Sequence, residues 1–305
     1  MMRLTSLCIA LILVACSVER PSPASADAPG YPLMWKVSDS DSTLYLLGAV
    51  HTLPPDLAWR RTQLDRAMSQ AQGLWMESNT YGGAEYDAGE AMKTTNVPLR
   101  ERLDPETFTR VRAVADFYGV DMANVSRAPI WVLAMELGLP LPDGSTTRDN
   151  SAETYSRETA RSRGLPVRDL ETYPRQLRGY ADIPRPHQLT LLDSKLDAQE
   201  RHMTGEPVAA NALAEYRDSA RAWARGDTTP MELEQARNRE QTPWLYESAT
   251  RARNIEWAET LSAHMDSTAL VEVVVVGNNH TVGPDSLQTL LAKKGYDVRV
   301  LTAQE

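Results

Sequence analysis

The chain has 305 residues and a formal charge of −9, and no Lys/Arg-rich stripe accompanies that acidic balance, which excludes a general nucleic-acid binder. Its two cysteines, Cys8 and Cys16, both lie in the extreme N-terminal segment. That placement excludes a disulfide scaffold and a cysteine-based zinc site, so a hydrophobic core must carry stability.

The chain opens with Arg3 and an apolar stretch from Leu7 to Ala15, too short to span a bilayer as a mature helix. It reads as a secretory signal. Leu13-Val14-Ala15-Cys16 resembles the bacterial lipoprotein cleavage box, so residues 1–15 are expected to be removed and Cys16 to carry lipid. The alternative is an ordinary cleaved signal with an incidental cysteine. Ser17 after the cysteine favours the outer membrane, which makes the expected location a lipid anchor in the periplasm. Residues 16–31, rich in Pro, Ser and Ala, read as a tether.

Residues 32–305 are expected to form a single α/β domain. Met34–Val37 and Thr43–Leu47 read as a hairpin around Ser38–Ser42. A helix is expected over Leu57–Gln72, then Gly73, then a strand Leu74–Met76 ending at Glu77. A helical insertion is expected over about 98–240. Within it, Phe108, Val111, Val114 and Phe117 are spaced as a helix face. Asn150–Arg163, Gly164 and a short strand ending at Glu171 interrupt the insertion. Pro243–Met265 reads as one long helix feeding the strand Val271–Val276, whose β-branched run barely alternates, as in a parallel strand covered on both faces. A helix Ser286–Lys294, Gly295 and a strand Tyr296–Val300 complete the chain. The insertion reads either as a cap closing a cleft or as a purely packing element.

One phrase occurs twice. Gly48-Ala49-Val50-His51-Thr52-Leu53-Pro54-Pro55-Asp56 is matched by Gly277-Asn278-Asn279-His280-Thr281-Val282-Gly283-Pro284-Asp285. Gly, His, Thr, Pro and Asp recur at identical offsets, and each copy stands between a strand and a helix. The expected fold class is therefore α/β, with a mostly parallel sheet built from two repeated strand–helix–strand halves. In such a sheet, ligands bind beyond the carboxyl ends of the strands, where His51, His280, Glu77 and Glu171 are all expected.

A turn repeated for geometry alone would keep Gly, Pro and Asp and has no steric need for imidazole at both places. The histidine pair is read as functional, Gly48 and Gly277 as points of bending or close approach, and Asp56 and Asp285 as first-turn helix residues favoured by the dipole. Glu77 ends an apolar strand, either as a chemical group or in a salt bridge. Arg253 and Asn254 lie on the long helix. Arg253 either belongs to a solvated face with Arg251 and Glu256 or stacks on Trp257 one turn on. His187, His202 and His264 lack repeated context and read as structural or surface residues.

These motifs, with Leu33-Met34-Trp35-Lys36-Val37, Gly164-Leu165-Pro166-Val167, Leu170-Glu171-Thr172 and Arg253-Asn254 followed by Trp257, resemble the TraB/GumN family over residues 31–303. That family is similar to the Tiki proteases and, more distantly, to erythromycin esterase and ChaN-like proteins. Ala252 stands where the family commonly has Glu, and Asn278-Asn279 is more polar than the usual second motif. The resemblance implies an α/β core of two repeated halves with a helical insertion. Its Tiki branch implies metal-dependent peptide cleavage.

Three functional expectations follow. The first is a metal-dependent hydrolase, a peptidase acting on a peptide or protein. His51, His280 and Glu77 would hold Mn, Co or Zn, Glu171 would hold or deprotonate water, and Arg253 would stabilise the oxyanion. The second is a metal-free hydrolase in which a histidine activates water and Glu77 orients it. The third is a tethered envelope protein that captures a peptide or signal without turnover, as the resemblance of some members to pheromone-shutdown proteins implies. The sequence carries no indication of oligomeric state.

Overall fold

Alternating apolar residues in β1 (Met34–Ser38) and β2 (Thr43–Ala49) pair antiparallel, with Met34 opposite Leu47 and Ser38 opposite Thr43. Asp39 closes the turn, accepting from the backbone N–H groups of Asp41 at 3.1 Å and Ser42 at 2.7 Å. The structure, a computed structural model, describes residues 30–60, 62–78, 95–136 and 146–302. The expected signal, the Cys16 anchor and most of the tether lie outside the described residues.

Four further strands complete one sheet: β3 (Gly73–Met76), β4 (Val167–Asp169), β5 (Val271–Gly277) and β6 (Asp297–Val300). Their order is β4-β3-β5-β2-β1-β6. β4, β3, β5 and β2 are parallel neighbours, and β1 is antiparallel to both β2 and β6, so only β1 runs against the rest. The helices that place the site are α1 (Thr62–Gln70), α2 (Ala152–Arg163), α3 (Ala252–Met265) and α4 (Leu287–Lys293).

Both copies of the repeat are strand–helix–strand crossovers, and they leave in opposite directions. From β2, α1 leads across β5 to β3. From β5, α4 leads across β2 and β1 to β6. Adjacent β2 and β5 are thus the switch point of the sheet, the place beyond whose strand ends open α/β sheets bind ligands. The valines of β5 serve both faces. Val273 and Val275 pack with Leu64, Ala67 and Met68 of α1, while Val274 and Val276 pack with Trp257 and Leu261 of α3 and Leu287 and Leu291 of α4. That double burial is why the run does not alternate.

Three sequence expectations are corrected. The first helix begins at Thr62, not Leu57. The preceding loop is stapled elsewhere: Leu53 pairs with Thr147, Asn150 Nδ2 donates to the carbonyls of Pro54 at 2.9 Å and Leu57 at 3.1 Å, and Trp59 Nε1 donates to the Asn150 carbonyl at 2.6 Å. Asp56 and Asp285 lie in turns outside the helices, and Ser286 is the residue preceding α4. The long helix over Pro243–Met265 contains a π-helical turn at Glu247–Arg251, a local widening often found beside functional sites.

The chain divides into two compact units. One takes the described parts of Asp87–Pro142 and Ala181–Glu215, and is helical. There Arg110 of the helix Pro105–Phe117 holds Asp193, Asp197 and Glu200 of the helix Arg185–Met203. The other contains the sheet and takes the described parts of Arg20–Tyr86, Asp143–Tyr180 and Tyr216–Glu305. The middle of the chain is therefore not one helical block, because Asp143–Tyr180 belongs with the sheet and supplies β4. No helix among the described residues is long and apolar enough to cross a membrane.

At the end of the sheet away from the repeat, Glu272 is 0 % exposed in the middle of the β-branched run. It survives there because three donors meet it: Arg168 Nη1 at 2.5 Å, Trp75 Nε1 at 2.8 Å and His264 Nε2 at 2.7 Å. Opposite it, Gly73 leaves the space its carboxylate fills. Glu272→Gln keeps the shape and loses the charge assistance. The variant is expected to lose about 2–3 kcal/mol in urea unfolding at unchanged m. A loss under about 0.5 kcal/mol would show that the three contacts to Glu272 add little to stability.

Candidate active site

Because β2 and β5 are parallel and in register, Ala49 opposite Gly277, the two copies of the repeat leave the sheet side by side. The two glycines serve different ends. A Cβ on Gly48 would collide with the Thr281 hydroxyl and stand 2.6 Å from Asn278 Oδ1, so this glycine admits the second turn. A Cβ on Gly277 would stand 3.1 Å from Glu77 Oε2, 3.5 Å from His51 Nε2 and 3.6 Å from His280 Cδ2. The α-carbon of Gly277 is therefore the floor over which the three predicted side chains converge.

Glu77 follows β3. Its Oε2 accepts from the Gly277 N–H at 2.9 Å, and its Oε1 pairs with Arg253 Nη2 and lies 3.7 Å from His280 Nε2. Burial pushes this carboxyl up, but the Arg253 charge, then His280, His51 and the Gly277 N–H, together outweigh burial and bring it to about 2. Glu171 follows β4, and its N–H donates to the Glu77 carbonyl at 3.0 Å, which sets the two acids side by side. Burial raises the Glu171 carboxyl, with Arg253 opposing.

Arg253 joins both acids. It is 4 % exposed, not part of a solvated face. Nε donates to Glu171 Oε1 at 3.0 Å and Oε2 at 3.1 Å, Nη2 reaches Glu77 and Glu171, and Nη1 donates to the Ala249 carbonyl at 2.9 Å in the π-helical turn. The guanidinium lies 4.7 Å from the Trp257 ring centroid, the stacking expected from the one-turn spacing. Both Glu171 oxygens serve Arg253, so this acid anchors the guanidinium instead of facing open space.

His280 is 4 % exposed, with its ring centroid 4.3 Å from that of Trp257. Its Nδ1 donates to Asn254 Oδ1 at 2.6 Å, while Asn254 Nδ2 donates to the carbonyls of Asp285 at 2.8 Å and His280 at 3.3 Å. Guanidinium has no acceptor, so the 3.2 Å contact with Arg253 Nη1 makes His280 Nε2 a bare lone pair. Burial, then the Arg253 charge, lowers this imidazole to about 3.

His51 has a different environment, with its side chain 51 % exposed. Its Nδ1 meets Glu153 Oε1 at 2.7 Å. Desolvation lowers the ring, and the Glu153 hydrogen bond and charge outweigh it and raise the ring to about 9, partly screened by solvent. The adjoining Thr52 is held by Tyr216, whose hydroxyl meets Thr52 Oγ1 at 2.7 Å and its carbonyl at 2.5 Å. Sequence reasoning singled out neither Glu153 nor Tyr180, a buried tyrosine raised to about 12 by burial beside Arg253, Glu77 and Glu171. Both sit in polar or mixed helical text with no repeated motif to mark them.

Two imidazoles and a carboxylate form a donor set that several divalent ions accept. Each ring commits Nδ1 to an acceptor, Glu153 or Asn254; Nε2 of His51 is left over the shared floor, while Nε2 of His280 accepts from Arg253 Nη1. The donor chemistry therefore fits a divalent ion. Among the described residues, though, no three His, Cys, Asp or Glu side chains are gathered as a group able to hold a metal ion. Arg253 is the cation that Glu77 and His280 face. His187, His202 and His264 stay outside the cluster. His264 serves Glu272, and the His202 ring stacks 6.5 Å from that of Tyr118.

The family model described as TraB/PrgY/gumN family matches residues 33–300. No curated protein and no solved structure matches the chain.

Proposed function

For a chain that belongs to the TraB/PrgY/gumN family, we propose a hydrolytic activity centred on the paired histidines, with a peptide or protein as substrate. The observation that carries the reading is the convergence of His51 Nε2, Glu77 Oε2 and the His280 ring over Gly277, at the switch point of the sheet.

In this reading His51, His280 and Glu77 would hold a divalent ion, Mn, Co or Zn. When bound, such an ion supplies Lewis acidity, making water more acidic and a carbonyl more electrophilic. The chain's own groups do the rest. Asn254 and Glu153 fix the rings. His51, the most exposed member, faces incoming water and substrate. Arg253, whose N–H groups are taken by Glu171, Glu77, His280 and the Ala249 carbonyl, would favour negative charge developing on the substrate oxygen through its charge and not through a free donor.

His51→Ala and His280→Ala are each expected to lower hydrolysis of a synthetic peptide mixture by at least about 100-fold and to abolish stoichiometric metal uptake, measured by elemental analysis. Turnover and metal content equal to the parent in both variants would remove the reading.

A second, metal-free reading is favoured by the His51–Glu153 pair and by the Arg253 cation already facing Glu77. Here His51 itself would activate water in its neutral form, which a ring raised to about 9 gains as pH rises toward that value, with Glu153 in the orienting place expected of Glu77. Turnover that survives exhaustive chelation yet needs His51 selects this version.

The cleavage box at Leu13–Cys16 supports a lipid anchor in the periplasm at the outer membrane. Cys16→Ser is expected to move the protein from the membrane to the soluble fraction and to abolish palmitate labelling. Unchanged labelling would exclude Cys16 as the anchor.

A further inference from the structure

We propose that Glu153 is a positioning residue for His51, holding the ring through Nδ1 so that Nε2 faces the floor of the site. The catalytic consequence rests on the hydrolase reading above, while the geometric content stands without it.

Glu153 lies in the first turn of α2, where an acid is ordinarily favoured by the helix dipole alone. Three observations point beyond that. The helix already has its cap, since Ser151 Oγ accepts from the Thr154 N–H at 3.2 Å. The Glu153 side chain is 16 % exposed and turns to the ring of His51, more than a hundred residues earlier, at 2.7 Å. Its second oxygen, Oε2, is buried with no hydrogen-bond partner, so the hydrogen bonding of this carboxylate is committed to one imidazole.

The surrounding framework explains how the two meet. The loop that carries His51 and the segment that leads into α2 are stapled by the Leu53–Thr147 bridge, with N···O distances of 2.9 and 2.8 Å, and by Asn150 on the carbonyls of Pro54 and Leu57. Tyr216 fixes Thr52 from the other side. Each of these contacts would hold the loop without Glu153. The carboxylate therefore adds not loop order but the orientation and protonated nitrogen of one exposed ring. Under either the metal-bound or the metal-free version, Nε2 is the nitrogen that must be kept available, and an acceptor on Nδ1 secures it.

The test uses the whole protein labelled with ¹⁵N-histidine, with the His51 signals assigned by their loss in His51→Gln. The parent is expected to show a strongly deshielded Nδ1 proton for His51. Glu153→Gln, nearly identical in shape, is expected to shift that proton upfield or broaden it by exchange while leaving the His264 and His280 signals in place. On the same synthetic peptides, kcat is expected to fall about 10–100-fold with KM within about 2-fold. If Glu153→Gln is too unstable to study, Glu153→Asp, one methylene shorter, is expected to weaken the same resonance. An unchanged His51 ring signal in either variant overturns the proposal. If the parent cleaves no peptide, the hydrolase reading fails, and the ring signal still decides the positioning role.

Discussion

Arg253→Met is expected to destabilise the fold by about 3–5 kcal/mol and to abolish hydrolysis, the largest single effect in the sheet unit. The reason is the arrangement of charge. Arg253 is the cation that Glu77 and Glu171 share, and its ring partner Trp257 is 0 % exposed. Methionine fills much of the volume but leaves two acids in a desolvated site. The pH dependence identifies the cause. In the parent, Glu77 is held at about 2 against an ordinary 4.5, so its stabilisation is complete above 4.5 and drains away as pH falls toward 2. Without the guanidinium, burial loses its main opponent at both acids, leaving the histidines and the Gly277 N–H at Glu77 and Arg175 at Glu171, and both carboxyls rise. The variant should then gain stability on mild acidification, while the Glu77 contribution in the parent can only shrink. Adding Glu171→Gln to Arg253→Met removes one of the stranded charges and is expected to recover part of the loss. Denaturant unfolding at several pH values reads all of this. A variant within about 1 kcal/mol of the parent, with the same pH slope, would mean that the three groups do not form a buried ionic cluster.

Acidification of the parent protein should expose a second large effect, owed to His280. Unfolded, this imidazole takes up a proton below its ordinary 6.5, whereas folded it resists until about 3. The unfolded chain therefore binds the proton first, and stability falls across that interval, by on the order of 3–4 kcal/mol if the ring stays buried throughout. His51 works on the other side. Its ring is raised to about 9, so its contribution is complete below 6.5 and is lost as pH rises toward 9, reduced by solvent because the ring is half-exposed. The two histidines of one repeated motif thus favour the folded state from opposite sides of pH 6.5. His280→Gln should flatten the acid limb of the stability profile between pH 6 and 4 and leave the alkaline limb unchanged. If the acid limb keeps its slope in that variant, the burial of a neutral His280 is not its source.

The repeat at His51 and His280 located the site because each copy carried its own context of strand, glycine and helix. The fold class and the family followed from the same text, and the match over residues 33–300 agrees with the family resemblance read from the motifs. Arg253 and Trp257 were legible as a one-turn pair. The limits are equally specific. Pro55 and Asp56, read as the first turn, promised a helix from Leu57, yet Asn150 takes the carbonyls of Pro54 and Leu57 and the helix starts only at Thr62. Tertiary hydrogen bonds overrode a local preference there.

Sequence by itself determined what recurs locally: the two turns, the covered strand of β5, the glycines that stop α2 and α4 (Gly164 and Gly295), and the chemistry of the paired rings. Local periodicity and steric constraint suffice for these, since each is decided within a few residues. Only tertiary structure decided how that chemistry is apportioned. It put Arg253 between Glu77 and Glu171, gave His280 to Asn254 in a buried pocket, and gave His51 to Glu153 at the surface. It also set Glu272 among three donors that no spacing announced. Two rings identical in their local text become chemically opposite because burial and neighbouring charge act through space, across separations of up to some 200 positions along the chain.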